Sequence, residues 1–112
     1  MKKSKPLSPD LIEFAANMLK CVGHPVRLRI VELLEARAEL PVQQLQEELE
    51  MAQPVVSQHL AKMKSLGLLR ATRRQGMVFY SVALPQLFKL LECIRGCDPA
   101  YQKGPLRAIR GA

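Results

Sequence analysis

The sequence predicts a mainly α-helical domain with a single β-hairpin, in the order α-α-α-α-β-β-α. Three observations predict it. Apolar residues recur at helical spacing as far as Gly67, in segments separated by Pro and Gly. After Gly67 the pattern becomes strand-like on both sides of a Gly-containing turn, then returns to a helical period. The core must also be built mainly from Leu, Val, Ile, Met and Ala, because the 112 residues include no Trp, two Tyr and three Phe. A core of that kind favours helices.

Each element has its own signal. Residues 1 to 7 carry three lysines, a proline and no periodicity, and are expected to be disordered. Ser8 can cap a first helix, Pro9 suits its first position, and Asp10 complements its dipole. Leu11, Ile12, Ala15, Met18 and Leu19 form its apolar stripe, and Gly23 stops it. A second helix restarts at "HPVRLRIVELLEARA", with Leu28, Ile30, Val31 and Leu34 on the buried face and Arg27, Arg29 and Glu32 largely off it. A short extended piece, "ELP" at 39–41, leads into a short third helix, "VQQLQEELE", with Val42, Leu45 and Leu49 inward. "MAQ" makes a tight turn. The fourth helix begins at Pro54 and ends at Gly67, a suitable C′ residue. "LLRATRR" and "VFYSV" then form the hairpin about "QGM". In the last helix, "LPQLFKLLECIRGC", Leu84, Leu87, Phe88, Leu91 and Ile94 share one side. The domain is expected to span 8–97, with a tail rich in Pro, Gly and basic residues at 98–112.

Charge narrows the function. The net charge is +7 and the pI about 9.7, which fits a polyanionic partner. No apolar run approaches the ~20 residues that span a bilayer, and the basic N-terminus lacks the apolar stretch of a signal peptide. Three cysteines without disulfide-scaffold spacing imply a cytoplasmic chain with reduced thiols. There is no nucleophile–base constellation, no glycine-rich phosphate loop and no pair of carboxylates fit for acid–base work, so an enzyme is not expected.

Helix, helix, short helix, turn, helix, hairpin is the order of a winged helix-turn-helix. In that arrangement a helix enters the major groove of DNA while the hairpin reaches the adjacent backbone or minor groove. The fourth helix fits the role on a helical wheel. Val56, Leu60 and Met63 cluster within about 60°, and the opposite side carries Pro54, Gln58, Ala61, Lys62 and Ser65. Gln58 can bond N6 and N7 of adenine together. Ser57, on one flank, can reach a base edge or a phosphate. His59, on the other, reads equally as a phosphate contact or as a partly buried structural histidine. Gln53 at the helix start and Arg73, Arg74 and Gln75 at the hairpin tip complete the candidate DNA-binding set. A protein-interaction module built on the same fold is the competing reading, and the polar groove face and basic tip speak against it.

"LKCVGHPVRLRIVELL" and "VVSQHLAKMKSLGLLRATRRQGMVFYSV" resemble the signature, recognition helix and wing of the ArsR/SmtB family of bacterial winged-helix repressors. The resemblance covers roughly residues 11 to 95. It implies a homodimer formed through the first and last helices, bound to an inverted-repeat DNA operator and released by an effector. It does not carry over two of the family's metal sites. Members that sense arsenic or cadmium on the third helix use cysteines where "ELPVQQL" has Pro41 and Gln43. The zinc-type site on the last helix needs Asp and His, and the only histidines here are His24 and His59, in other elements.

Cys21, Cys93 and Cys97 remain. Cys21 ends the first helix and the other two end the last. If those helices pack at the dimer seam, the three thiols can converge within or across subunits. Three thiolates suit a thiophilic metal or metalloid ion such as As(III). A thiol redox or reactive-sulfur switch is the second reading, and cysteines with no sensing role the third. On the wheel Cys93 and Cys97 lie about 200° and about 240° from Leu91, away from the centre of the apolar stripe, which argues against simple core filling.

Overall fold

Ser8 caps the first helix as its sequence implies: its hydroxyl accepts from the Leu11 N–H at 3.1 Å, and Pro9 occupies the first turn. The computed structural model of the chain describes residues 4–100. The expectations for residues 1–3 and for the tail from 101 onward lie outside the described residues, while residues 4–7 are exposed and form no helix or strand. The elements are α1 (Pro9–Val22), α2 (Pro25–Arg37), β1 (Glu39–Pro41), α3 (Val42–Leu49), α4 (Gln53–Ser65), β2 (Leu69–Arg74), β3 (Met77–Val82) and α5 (Gln86–Gly96). The architecture is a winged helix-turn-helix.

α2 is the central helix. Ile30, Val31 and Leu34 are buried on it, and α1, α3, α4, α5 and the sheet all pack around it. Cys21 and Val22 from α1, Leu40 from β1, Leu45 from α3, Val56, Leu60 and Met63 from α4, Leu68, Leu69 from β2, and Leu87 and Leu91 from α5 complete the core. Burying a side chain of this size contributes about 1.5–3 kcal/mol, so the few residues of α3 and α4 that reach the core hold the helix pair in place. Leu28, placed among the buried residues by its spacing, is only half-buried.

The hairpin turn is tighter than expected. Gln75 and Gly76 both have positive φ (52° and 76°), the pattern of a two-residue hairpin loop whose twist matches the strands. Met77 therefore belongs to β3, not to the turn. The "ELP" segment also does more than link two helices. β1 pairs antiparallel with β3, giving a three-stranded sheet in the order β1-β3-β2. Pro41 is tolerated there because β1 is an edge strand. α4 begins one residue earlier than its proline suggests, at Gln53, and stops at Ser65 before the left-handed Gly67 (φ 77°). α5 starts at Gln86, two residues after Leu84.

The apolar stripe on α1 is largely unburied. Leu11, Ile12 and Leu19 are 47%, 52% and 51% exposed, and only Cys21 and Val22 at the helix end enter the core. Ile94 on α5 is likewise exposed. α1 touches the body mainly through its last turns, so its amphipathic face has no cover within the described residues of one chain.

Candidate nucleic-acid interface

α4 divides as its wheel predicts. Val56, Leu60 and Met63 are wholly buried, while Gln53, Pro54, Gln58, Ala61, Lys62 and Ser65 are exposed. α3 packs against the buried side, and the turn between them is closed by Glu50, a left-handed cap whose N–H donates to the Gln46 and Glu47 carbonyls. The result is a short helix, a tight turn and a longer helix with its polar stripe turned outward. Gln53 Nε2 donates to Ser57 Oγ at 3.1 Å, which orders the first turn of the outward face. Ser57 is half-buried and Gln58 is free to reach outward.

His59 is half-buried between helices. Its Nδ1 accepts from Arg27 Nε at 3.2 Å, and its ring lies 4.7 Å from that of His24. His24 in turn caps α2, its Nδ1 accepting from the Val26 N–H at 3.1 Å. Arg27 Nη1 also donates to the Cys21 carbonyl at 3.0 Å and approaches Cys21 Sγ at 3.8 Å. One half-buried arginine thus links the end of α1, the start of α2 and the middle of α4. Spacing put Arg27 largely off the packed face of α2; it is instead seated between helices. Burial, with His24 and Arg27 as neighbouring charges, holds the His59 pKa below its ordinary value.

The wing separates its two candidate arginines. Arg73 and Gln75 are exposed at the tip, and Arg73 has no ion-pair partner among the described residues. Arg74 lies back across the sheet, its guanidinium 4.2 Å from the centre of the Phe79 ring and ion-paired with Glu39 on β1. That pairing lowers the Glu39 pKa and raises that of Arg74, the hydrogen bond between them being the main cause of both. Sequence reasoning missed Arg70, exposed on the same outer face, because it sits within the run that reads as strand. It also missed Lys64, a second exposed cation in the last turn of α4.

The cysteines are not gathered within one chain. Cys21 is 3% exposed in the core, whereas Cys93 and Cys97 are exposed at the end of α5. Among the described residues no group of three or more His, Cys, Asp or Glu side chains is arranged to hold a metal ion. The wheel reading of Cys93 and Cys97 agrees with their exposure. Cys21 faces inward because it shares the last turn of α1 with Val22, where that helix meets α2 and α4.

No helix of the described residues is long and apolar enough to cross a membrane. A family model for bacterial regulatory proteins of the arsR family matches residues 24–71, the stretch from the α2 cap to the start of the wing. The transcriptional repressor PagR of Bacillus anthracis is 40% identical over 88 residues, covering 75% of this chain and 87% of PagR. Its crystal structure matches with a TM-score of 0.69 at 34% identity, over 74% of this chain and 94% of that one. HlyU from Vibrio cholerae matches with a TM-score of 0.71 at 29% identity, over 78% of this chain and 94% of HlyU. The homodimeric winged helix-turn-helix DNA-binding domain Mb0332 from Mycobacterium bovis gives a TM-score of 0.71 at 25% identity, over 85% and 87%. With its sequence and fold matched over most of the length of such relatives, the chain belongs to the arsR family of bacterial regulatory proteins.

Proposed function

We propose that this chain is a dimeric transcriptional repressor that places α4 in the major groove of an operator and its wing on the flanking backbone. The observation that carries this reading is the division of α4 into a fully buried apolar side and an exposed stripe of Pro54, Gln58, Ala61, Lys62 and Ser65. Such a stripe is small enough to approach base edges and has no carboxylate to repel phosphate. Gln58 reads a base, Ser57 and Gln53 contact base edges or phosphates, and Lys62 and Arg73 neutralise phosphates. Arg74 contributes less charge to the duplex because Glu39 already pairs with it. His59 positions α4 through Arg27.

The uncovered apolar residues of α1 and Ile94 of α5 form the contact between two copies. This fits the homodimer formed by Mb0332 and the repressor role of PagR. A dimer sets two α4 helices one helical turn of DNA apart and calls for a two-fold symmetric site. The exposed pair Cys93 and Cys97 favours release by a thiol-reactive effector, either a thiophilic metal or metalloid or an oxidising sulfur species, with Cys21 as a third thiol.

Binding by the Gln58→Ala variant to a panel of single-base operator changes tests the groove assignment. Preference should relax at one base position by about 1–3 kcal/mol; an unchanged preference overturns the role of Gln58. DNA release by As(III), persulfide and peroxide, repeated on Cys21→Ser, Cys93→Ser and Cys97→Ser, tests the effector. Variants that all respond like the parent exclude the cysteines.

A further inference from the structure

We propose that the cleft between the C-terminal ends of α1 and α4 is a binding site for a phosphate-type oxyanion. The cleft has a volume of about 410 Å³ and is lined by Asn17 and Lys20 from α1, Arg27 from α2, and Lys62 and Ser65 from α4, with Cys21 beside them. Three cations converge on it and no carboxylate lines it.

Elsewhere among the described residues Arg29, Arg37, Arg74 and Arg95 are each paired with a glutamate, and the unpaired Arg70 and Arg73 stand apart on the wing. The side-chain ammonium groups of Lys20 and Lys62 have no ion-pair partner among the described residues. Arg27 is half-buried, where its field is screened less than at the surface. It is also held in place, with Nη1 on the Cys21 carbonyl and Nε on His59, so it need not be ordered when a ligand arrives. Like charges brought together in this way repel one another until a counter-charge enters.

The C-terminal ends of α1 and α4 bring partial negative charge to the cleft, which the three cations must outweigh. The carbonyls at the end of α1 would repel an anion, but those of Leu19, Cys21 and Val22 already accept from the Gly23 N–H, Arg27 and the His24 N–H. Ser65 turns its hydroxyl onto the Lys62 carbonyl, leaving the three cations and the Asn17 amide to meet the ligand. An oxyanion with several acceptor oxygens matches that donor set.

Lys62 and Ser65 stand four and seven residues beyond Gln58, so the outward stripe of α4 runs directly into the cleft. The phosphate group can therefore belong to the backbone of a bound duplex, in which case the inference rests on the repressor reading, or to a free small molecule. Lys20 distinguishes the two because it lies outside both α4 and the wing.

The test titrates inorganic phosphate into the isotope-labelled full chain, and separately measures the salt dependence of duplex binding, for the parent and for Lys20→Ala. Saturable shifts of amides in 17–21 and 62–66, weakened about tenfold in Lys20→Ala, support the site. A duplex-binding slope reduced by about one in Lys20→Ala, with unchanged base preference, assigns the phosphate to DNA. An unchanged slope with intact phosphate titration assigns it to a free anion. A parent that binds no duplex defeats the repressor reading while the phosphate titration still decides the cleft. No localised phosphate shifts together with an unchanged slope overturns the proposal.

Discussion

His59 ties the seating of α4 to pH. Its Nδ1 is the acceptor for Arg27 Nε, so the imidazole must be neutral there. Protonation removes that acceptor and sets an imidazolium beside a guanidinium and the His24 ring 4.7 Å away. Burial above all, then the charges of His24 and Arg27, hold the folded-state pKa below its ordinary value of 6.5. Above that value both folded and unfolded chains carry a neutral His59, and the stability is fully present. As pH falls below it, the unfolded chain takes up a proton that the folded chain resists, so stability is lost until the pH passes the folded pKa. Linkage limits the loss to about 1.4 kcal/mol per pH unit. The Glu39–Arg74 pair cannot mimic it, because the Glu39 pKa is lowered from 4.5 and its contribution disappears only below that value. Urea unfolding followed from about pH 7 to about pH 5.5 should show the falling stability in the parent. His59→Gln, which keeps an acceptor and does not titrate, should lose that component. A slope that persists unchanged in His59→Gln refutes the assignment.

Three further outcomes follow from the packing and the charges. Leu60→Ala empties a wholly buried position beneath α4 and should destabilise the fold by about 2–5 kcal/mol in denaturant titrations. Arg73→Ala should lower the salt slope of duplex binding by about one, while Arg74→Ala lowers it less, because Glu39 already neutralises that charge. Equal slope losses would refute the inequivalence. Ile12→Glu places a charge on the uncovered face of α1 and should shift sedimentation toward monomer without unfolding the chain; an unchanged oligomeric state removes α1 from the interface.

What was legible in the sequence was local. The wheel of α4 separates buried from exposed residues because both sets lie within one helix, and Ser8, Pro9 and Gly67 mark helix ends through their own backbone chemistry. Pairings across long separations were not legible. Arg27 and His59 are 32 residues apart, and Arg74 and Glu39 are 35 apart. Nothing near Arg74 indicates that β1 lies across the sheet to receive it, so the two wing arginines looked alike. The helical period of α1 also shows an apolar face without showing that most of that face is left uncovered. Similarly, the wheel turns Cys93 and Cys97 outward, but the burial of Cys21 depends on how α1 meets α2 and α4.

The central claim is that α4 and the wing bind duplex DNA. Fluorescence anisotropy of a labelled duplex from the chain's own promoter region, against bulk genomic fragments and over increasing salt, tests it most directly. The account predicts tighter binding to the promoter duplex, with log K falling linearly in log salt from about 50 mM upward. No binding to either duplex at low salt would contradict it.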